Sequence, residues 1–367
     1  MTALTFDPRY ARQLTLRGFG PAAQERLAAA RVLVVGAGGL GAPVSMYLAA
    51  AGVGAISMVD TDEVDLTNLH RQLLYGTSDV GRRKLDAARE RLADINPHVA
   101  LTLHDMRLTA ANASTLIAGH DVVVDATDNF PARYAINDAC LQHGVPFVYG
   151  SVARFQGQVS VFASGDGPCY RCLFPEPPPP GSVPTCAEEG VLGVVPGIVG
   201  LHQANETIKL IAGIGTPLVG RLLLLDLLEN DFRSIAINRR ANCVFHSSPD
   251  TRVNSPLSFS SPVPQLTAPE LAARLQSENA PQVLDVREQW EYDIAHLPSS
   301  RLIPLSELQV AVSSLEKDGD YVLLCHHGMR SEMAAQWLQG QGFTRVANLA
   351  GGIDGWVTHV DSTMSRY

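Results

Sequence analysis

The sequence predicts two α/β domains in one chain, a larger one on a mainly parallel sheet and a smaller one beyond a linker. From Arg31 to about Tyr149 apolar strand runs alternate with helical patterns, as in a sheet with helices on both faces. The stretch 247–265, SSPDTRVNSPLSFSSPVPQ, is rich in serine and proline, has no apolar period and reads as a linker. A second strand and helix pattern then begins at Thr267, which places the domains at 1–246 and 266–367. At 367 residues the chain is too long for one ordinary core, and 46% hydrophobic against 18% charged residues is a globular composition.

The elements follow in order. VLVV, AISMVD, ALTLH, DVVVDA and PFVYG are the parallel strands, rich in β-branched residues. Between them APVSMYLAAAG, GRRKLDAARERLADIN and ARYAINDACLQHG carry the apolar spacing of helices. GQVSVFA (157–163), RLLLLDL (221–227) and FRSIAIN (232–238) extend the sheet in antiparallel fashion, with the helical PGIVGLHQANETIKLIAG between the first two. In the second domain T-A-P-E at Thr267 is a helix start with a capping box, and VLDV and YVLLC are its clear strands. There is no internal repeat, and the proline tract at 177–180 reads as a local stiff loop.

The net charge of −9 argues against a surface that tracks nucleic-acid phosphates. MTALTFDPRYARQ has none of the features of a signal peptide, and VLGVVPGIVGLHQ, the longest apolar candidate, is too broken to span a membrane. A cytoplasmic protein is expected. There the six cysteines, at 140, 169, 172, 186, 243 and 325, read as metal ligands or reactive thiols before disulfides.

The glycine turn GAGGLG, with Gly36, Gly38, Gly39 and Gly41, lies between a strand and a helix and aims backbone N–H groups at an anionic phosphate. Asp60 ends the second strand, where a carboxylate can bind ribose hydroxyls. Arg71 and Lys84 add two fixed positive charges, which favours ATP over NAD. In DATDN, Asp128 follows a strand at the ligand-binding edge, where it can hold Mg²⁺ near phosphates. Singly, Asp128 reads as a helix N-cap and Arg71 and Lys84 as solvated surface; as an ordered set they point to a nucleotide site. An NAD-dependent oxidoreductase would leave Arg71, Lys84 and the thiol sites without a role.

From about Arg9 to His246, through RYARQ, GAGGLG, NLHRQ, DATDN, CYRC and PTCAEEGV, the sequence resembles the molybdopterin-synthase adenylyltransferases and related ubiquitin-activating-like enzymes. The resemblance implies a Rossmann-like adenylation domain with a mixed sheet. It also implies Asp60 on the ribose, Asn68, Arg71 and Lys84 at the phosphates, Asp128 at the magnesium, and Arg12 reaching the neighbouring subunit's site in a homodimer. CYRC, with Cys169 and Cys172, has the usual geometry for half of a tetrahedral zinc site, the blander reading being a decayed site with His246 in the linker. The family's other half is a second Cys-x-x-Cys, but here that position reads NCVFH, which offers Cys243 and His246. Cys186 matches the family's loop cysteine and is implied to meet the activated carrier, against the blander reading of a small buried hydrophobe. Cys140 reads as core.

YVLLCHHGMRS places Cys325 between a strand and a helix N-terminus, where loop N–H groups stabilise a thiolate, and Arg330 is expected to add a charge. From about Gln265 to Trp356 the chain resembles the rhodanese sulfurtransferases, in LDVREQWEYDIAHLP, CHHGMRS and LAGGIDGW. The six-residue loop from Cys325 to Arg330 implies a persulfide, since the related phosphatases carry a longer one. His326 and His327 read either as tuning the sulfur or as solvent-facing, and Asp285 and Arg287 as structural.

Together the two resemblances imply ATP-dependent adenylation of the C-terminal glycine of a small β-grasp sulfur carrier ending in Gly-Gly. Sulfur transfer from Cys325, loaded by a persulfide or thiosulfate donor, would then give a thiocarboxylate. The molybdopterin-synthase small subunit is the first carrier expected. Carriers for thiamine, cysteine or tRNA thiolation, and a non-catalytic carrier-binding role, are the alternatives.

Overall fold

The computed structural model describes residues 7–177, 190–241, 243, 263–277 and 279–365. The described residues divide into two compact units, one of 7–177 with 190–243 and one from 263 onward.

The first unit is built on eight strands: β1 Arg31–Val35, β2 Ala55–Val59, β3 Ala100–His104, β4 Val122–Asp125, β5 Phe147–Ala153, β6 Gln156–Phe162, β7 Arg221–Asp226 and β8 Asp231–Ala236. Their order is β3-β2-β1-β4-β5-β6-β7-β8, parallel as far as β5 and antiparallel beyond it. Alternation along the strands makes two cores. Val32, Val34, Val122 and Val124 pack with residues of the helices Gly41–Ala51, Lys84–Ile95 and Val194–Ala212. Leu33, Val35 and Val123 pack with those of Ala113–Ile117 and Phe130–His143. Each fully buried Leu or Val contributes about 1.5–3 kcal/mol. The order reverses at β1, with β2 on one side and β4 on the other, and ligands bind beyond the strand ends at such a point.

The second unit has five parallel strands in the order β11-β10-β12-β13-β9: β9 Gln265–Leu266, β10 Gln282–Asp285, β11 Ser300–Leu302, β12 Tyr321–Leu324 and β13 Val346–Leu349. Helices Ala268–Leu275, Gln289–Ile294, Met329–Gly340 and Gly352–His359 accompany them. Thr267 caps Ala268–Leu275 through the capping box with Glu270. The linker ends earlier than its composition suggested. Val263 is buried among Leu284, Val286 and Leu323, and Gln265 already pairs with Asn348, so 263–265 belong to the second unit. Proline and serine misled the reading because β9 is only two residues long and shows no period of its own. Residues 247–262 lie outside the described residues. Among those described, no helix is long and apolar enough to cross a membrane.

Candidate functional site

Three strand ends assemble the first site. Val35 of β1 pairs with Val59 of β2 and with Asp125 of β4, so the segments that follow, from Gly36, Asp60 and Ala126, leave the sheet side by side. The Gly36 N–H donates to the Val59 carbonyl at 2.9 Å, and the Ala126 N–H to the Val35 carbonyl at 2.9 Å. Gly36 has φ +99°, and a Cβ there would sit 2.6 Å from the Ala126 carbonyl oxygen. A Cβ on Gly41 would collide with the Gly36 carbonyl, so these two glycines are steric requirements of the turn. Gly38 and Gly39 face Gln72, Arg71 and Pro196.

Asp60 holds this turn. Its Oδ2 accepts from the Ala37 N–H at 2.7 Å and its Oδ1 from the Asp62 N–H at 2.8 Å. Burial raises its carboxyl above the ordinary carboxylate range, opposed by the charge of Lys84. Lys84, only 5% exposed, opens the helix Lys84–Ile95 and pairs with Asp62 at 2.8 Å. It is therefore a buried cation and not solvated surface. Arg71 is half-buried; its Nη1 donates to the Thr67 carbonyl at 3.1 Å and lies 2.6 Å from His70 Nε2, so it is folded on its own segment. Asn68 Oδ1 accepts from the Asp65 N–H at 3.3 Å in a capping box. Arg12 is exposed on the short helix Ala11–Leu14, and no hydrogen bond or ion pair joins it to the glycine turn among the described residues.

Asp128 is exposed, three residues beyond the end of β4. The helix N-cap is Asn129, whose side chain accepts from the Ala132 N–H at 3.0 Å, so Asp128 is not spent on capping. Beneath it lies a buried polar frame. Asp125 Oδ1 accepts from the Thr127 N–H and hydroxyl at 3.0 and 2.6 Å, Arg133 Nη2 donates to the Thr127 carbonyl at 2.9 Å, and Arg133 Nε lies 3.6 Å from Asp125 Oδ2. Gln203 Nε2 donates to the carbonyls of Asp125 at 2.7 Å and Val148 at 3.1 Å.

A second cluster is made of sulfur. Cys169 Sγ lies 3.8 Å from Cys172 Sγ and 3.6 Å from Cys243 Sγ, all three buried. Burial and the two neighbouring thiols push the Cys169 thiol well up. Three crowded, buried soft donors fit zinc, which takes thiolates tetrahedrally. His246 and Cys186 lie outside the described residues. Cys140 is fully buried in the sheet core, as expected, and burial pushes its thiol up.

In the second unit Cys325 follows β12 and is 2% exposed. The Gly328 N–H donates to its Sγ at 3.1 Å and the Ser331 hydroxyl at 3.3 Å. The loop is fixed from the far side, where the N–H groups of Ile353 and Asp354 donate to the carbonyls of Cys325 and His326 at 2.8 and 3.1 Å. Arg330 departs from expectation. Its Nη1 and Nη2 donate to the two Glu291 oxygens at 2.7 and 2.6 Å, so its charge is compensated by a carboxylate. His326 is half-buried and His327 exposed, with rings 4.1 Å apart and edge to face; burial lowers the His326 pKa, followed by the effect of His327. Asp285 and Arg287 are both 0% exposed and doubly bonded, at 2.9 and 2.6 Å, in a structural pair.

The ThiF family model matches residues 10–245, well over half of the chain. The chain belongs to the ThiF family. The model of the rhodanese-like domain matches residues 267–359. Over 371 residues the chain is 42% identical to the Mycobacterium tuberculosis (strain H37Rv) protein named "Probable adenylyltransferase/sulfurtransferase MoeZ", covering 98% of this chain and 95% of that one. It is 39% identical to "Adenylyltransferase and sulfurtransferase MOCS3" of Culex quinquefasciatus, with 98% and 89% covered. The Thermus thermophilus "Sulfur carrier protein adenylyltransferase" is 52% identical over 240 residues, 64% of this chain and 89% of that one. Among solved structures, Escherichia coli MccB with MccA-N7isoASN has TM-score 0.60 at 22% identity, over 67% of this chain and 76% of that one, a likeness of fold.

Sequence reasoning missed Tyr75, Arg133 and Gln203 in the ThiF-family unit and Glu291 in the rhodanese-like one. Tyr75 donates its hydroxyl to the Ala37 carbonyl at 2.8 Å and so pins the glycine turn beside Asp60. A polar residue inside an otherwise apolar helical period was the available signal for Arg133 and Gln203. For Glu291 it was the capping box with Glu288.

Proposed function

We propose that this protein adenylates the C-terminal glycine of a small β-grasp sulfur carrier with ATP and then sulfurates it from a persulfide on Cys325. The observation that carries the reading is the pairing, in one ThiF-family chain, of the edge formed by the glycine turn, Asp60 and Lys84 with a thiol that accepts two hydrogen bonds. Full-length relatives named for both activities support it.

The glycine turn cradles phosphates, Asp60 binds the ribose, and Asn68, Arg71 and Lys84 neutralise the phosphates, with Arg12 supplied by a second subunit. For Asn68 and Arg71 this requires a turn away from their present local partners. The exposed Asp128 carboxylate, two residues beyond Ala126 whose carbonyl meets Gly36, would hold Mg²⁺, which supplies charge neutralisation at the phosphates when bound. Cys169, Cys172 and Cys243, with His246 as fourth ligand, would hold a structural zinc. The carrier carboxylate attacks the α-phosphorus of ATP, and the bond to pyrophosphate breaks to give an acyl-adenylate. The Cys325 persulfide then displaces AMP, directly or after acyl transfer to Cys186. Reduction of the acyl persulfide by a thiol, or attack on it by Cys186 with a disulfide left for a thiol reductant to reopen, then releases the thiocarboxylate. The first carrier to test is the molybdopterin-synthase small subunit.

The test is ATP–pyrophosphate exchange with carriers ending in Gly-Gly, together with mass spectrometry of the carrier. Cys325→Ser should exchange normally and yield no thiocarboxylate. Exchange without any carrier, or wild-type thiocarboxylate formation by Cys325→Ser, would refute the reading.

A further inference from the structure

The sulfur loop shows an electrostatic imbalance that bears on what Cys325 accepts. Arg330 is held by Glu291 through both oxygens, and Arg287 by Asp285 through both of its own. Asp354 adds a further carboxylate from the first turn of Gly352–His359, with its N–H on the His326 carbonyl. Two guanidinium groups thus stand against three carboxylates. His326 does not redress this near neutral pH, since burial, followed by the effect of His327, lowers its pKa. What the loop offers the sulfur is dipolar: the Gly328 N–H and the Ser331 hydroxyl on Sγ.

Resting on the reading of Cys325 as the sulfur-accepting thiol, we propose that Glu291 is a specificity-determining residue that, by neutralising Arg330, selects a thiol persulfide over thiosulfate as sulfur donor. The chemistry of the two donors differs in charge at the reacting sulfur. With a thiol persulfide, the Cys325 thiolate attacks the outer sulfur of R–S–SH, the S–S bond breaks, R–S⁻ leaves, and one negative charge is present throughout. With thiosulfate the same thiolate meets a dianion, and its S–S bond breaks to release sulfite with three negative charges gathered at the loop. Two dipoles suit the first case, whereas the second needs a cation that Glu291 has already engaged.

The experiment loads sulfur on Cys325 in the full chain and reads kcat/KM for cysteine persulfide, for a persulfidated thiol protein and for thiosulfate. Comparing the first two separates a small-molecule source from a protein-borne one. The ratio between donors within one preparation does not depend on the fraction of correctly folded protein. Wild type should favour the persulfides over thiosulfate by about a hundredfold, and Glu291→Gln should shift the ratio towards thiosulfate by about tenfold by releasing the Arg330 charge. The double variant Glu291→Gln with Arg330→Gln, which restores the wild-type net charge, should return the ratio to the wild-type value. Equal use of thiosulfate and persulfide by wild type, or an unchanged ratio in Glu291→Gln, would overturn the role of Glu291 while leaving Cys325 as the acceptor. Loading from none of the donors would instead overturn the assignment of Cys325 itself, and this inference with it.

Discussion

Replacing Lys84 by Met separates a phosphate-binding role from a structural one, because the local geometry makes the two effects differ in size. The lysine stem is packed and only its head is charged, so methionine keeps most of the buried apolar contact. The partner lost is Asp62, whose side chain is 60% exposed and can return to water. Methionine also removes the cost of burying the ammonium, so with Asp62 returned to water the unfolding midpoint should move little. If Lys84 neutralises the transferring phosphates, removal of one preorganised charge costs about 2.7–4 kcal/mol, or roughly 10²–10³ in rate. The same charge opposes the rise of the Asp60 pKa, so the acid limb of the exchange profile should move to higher pH in the variant. The assay is pyrophosphate exchange with saturating carrier, next to thermal unfolding of the same sample. Exchange within about threefold of wild type would refute the role and leave Lys84 as a partner of Asp62.

Three further outcomes are expected. Asp128→Ala should lower exchange by about 10²-fold at fixed Mg²⁺ without unfolding the chain, since Asn129 keeps the cap; full exchange would exclude Asp128 as the magnesium anchor. Protein purified without chelators should hold about one zinc per chain, and Cys169→Ser should lose it, which metal analysis reads directly. The lowered pKa of His326 means that the unfolded chain binds its proton first as pH falls through about 6.5. Stability of the second unit should therefore drop on acidification from that point to the folded pKa and then level off; His326→Gln should flatten that segment of the unfolding curve, and an unchanged slope would rule it out.

Much of the fold was legible because it is local. Glycine at a turn, β-branched runs, and Thr267 with Glu270 act within a few residues, so the sequence shows them directly. The expected strands of the parallel core and the helices between them are present, as are the antiparallel strands beyond β5. The end of the linker was not legible, since a two-residue strand has no period and gains its place only by pairing with β13.

The sequence by itself determined which chemistry is available: a glycine turn at a strand end, an acid after the next strand, a Cys-x-x-Cys pair, and a cysteine at a helix start. The tertiary structure decided which charges remain to act, because compensation depends on partners far apart in the chain. Glu291 meets Arg330 across 39 positions, Asp62 meets Lys84 across 22, and Cys243 joins Cys169 across 74. Sequence proximity carries no record of such pairs. They arise where strand order brings distant segments to one edge, and burial then makes an unpaired charge or a lone polar group costly, which favours such partners.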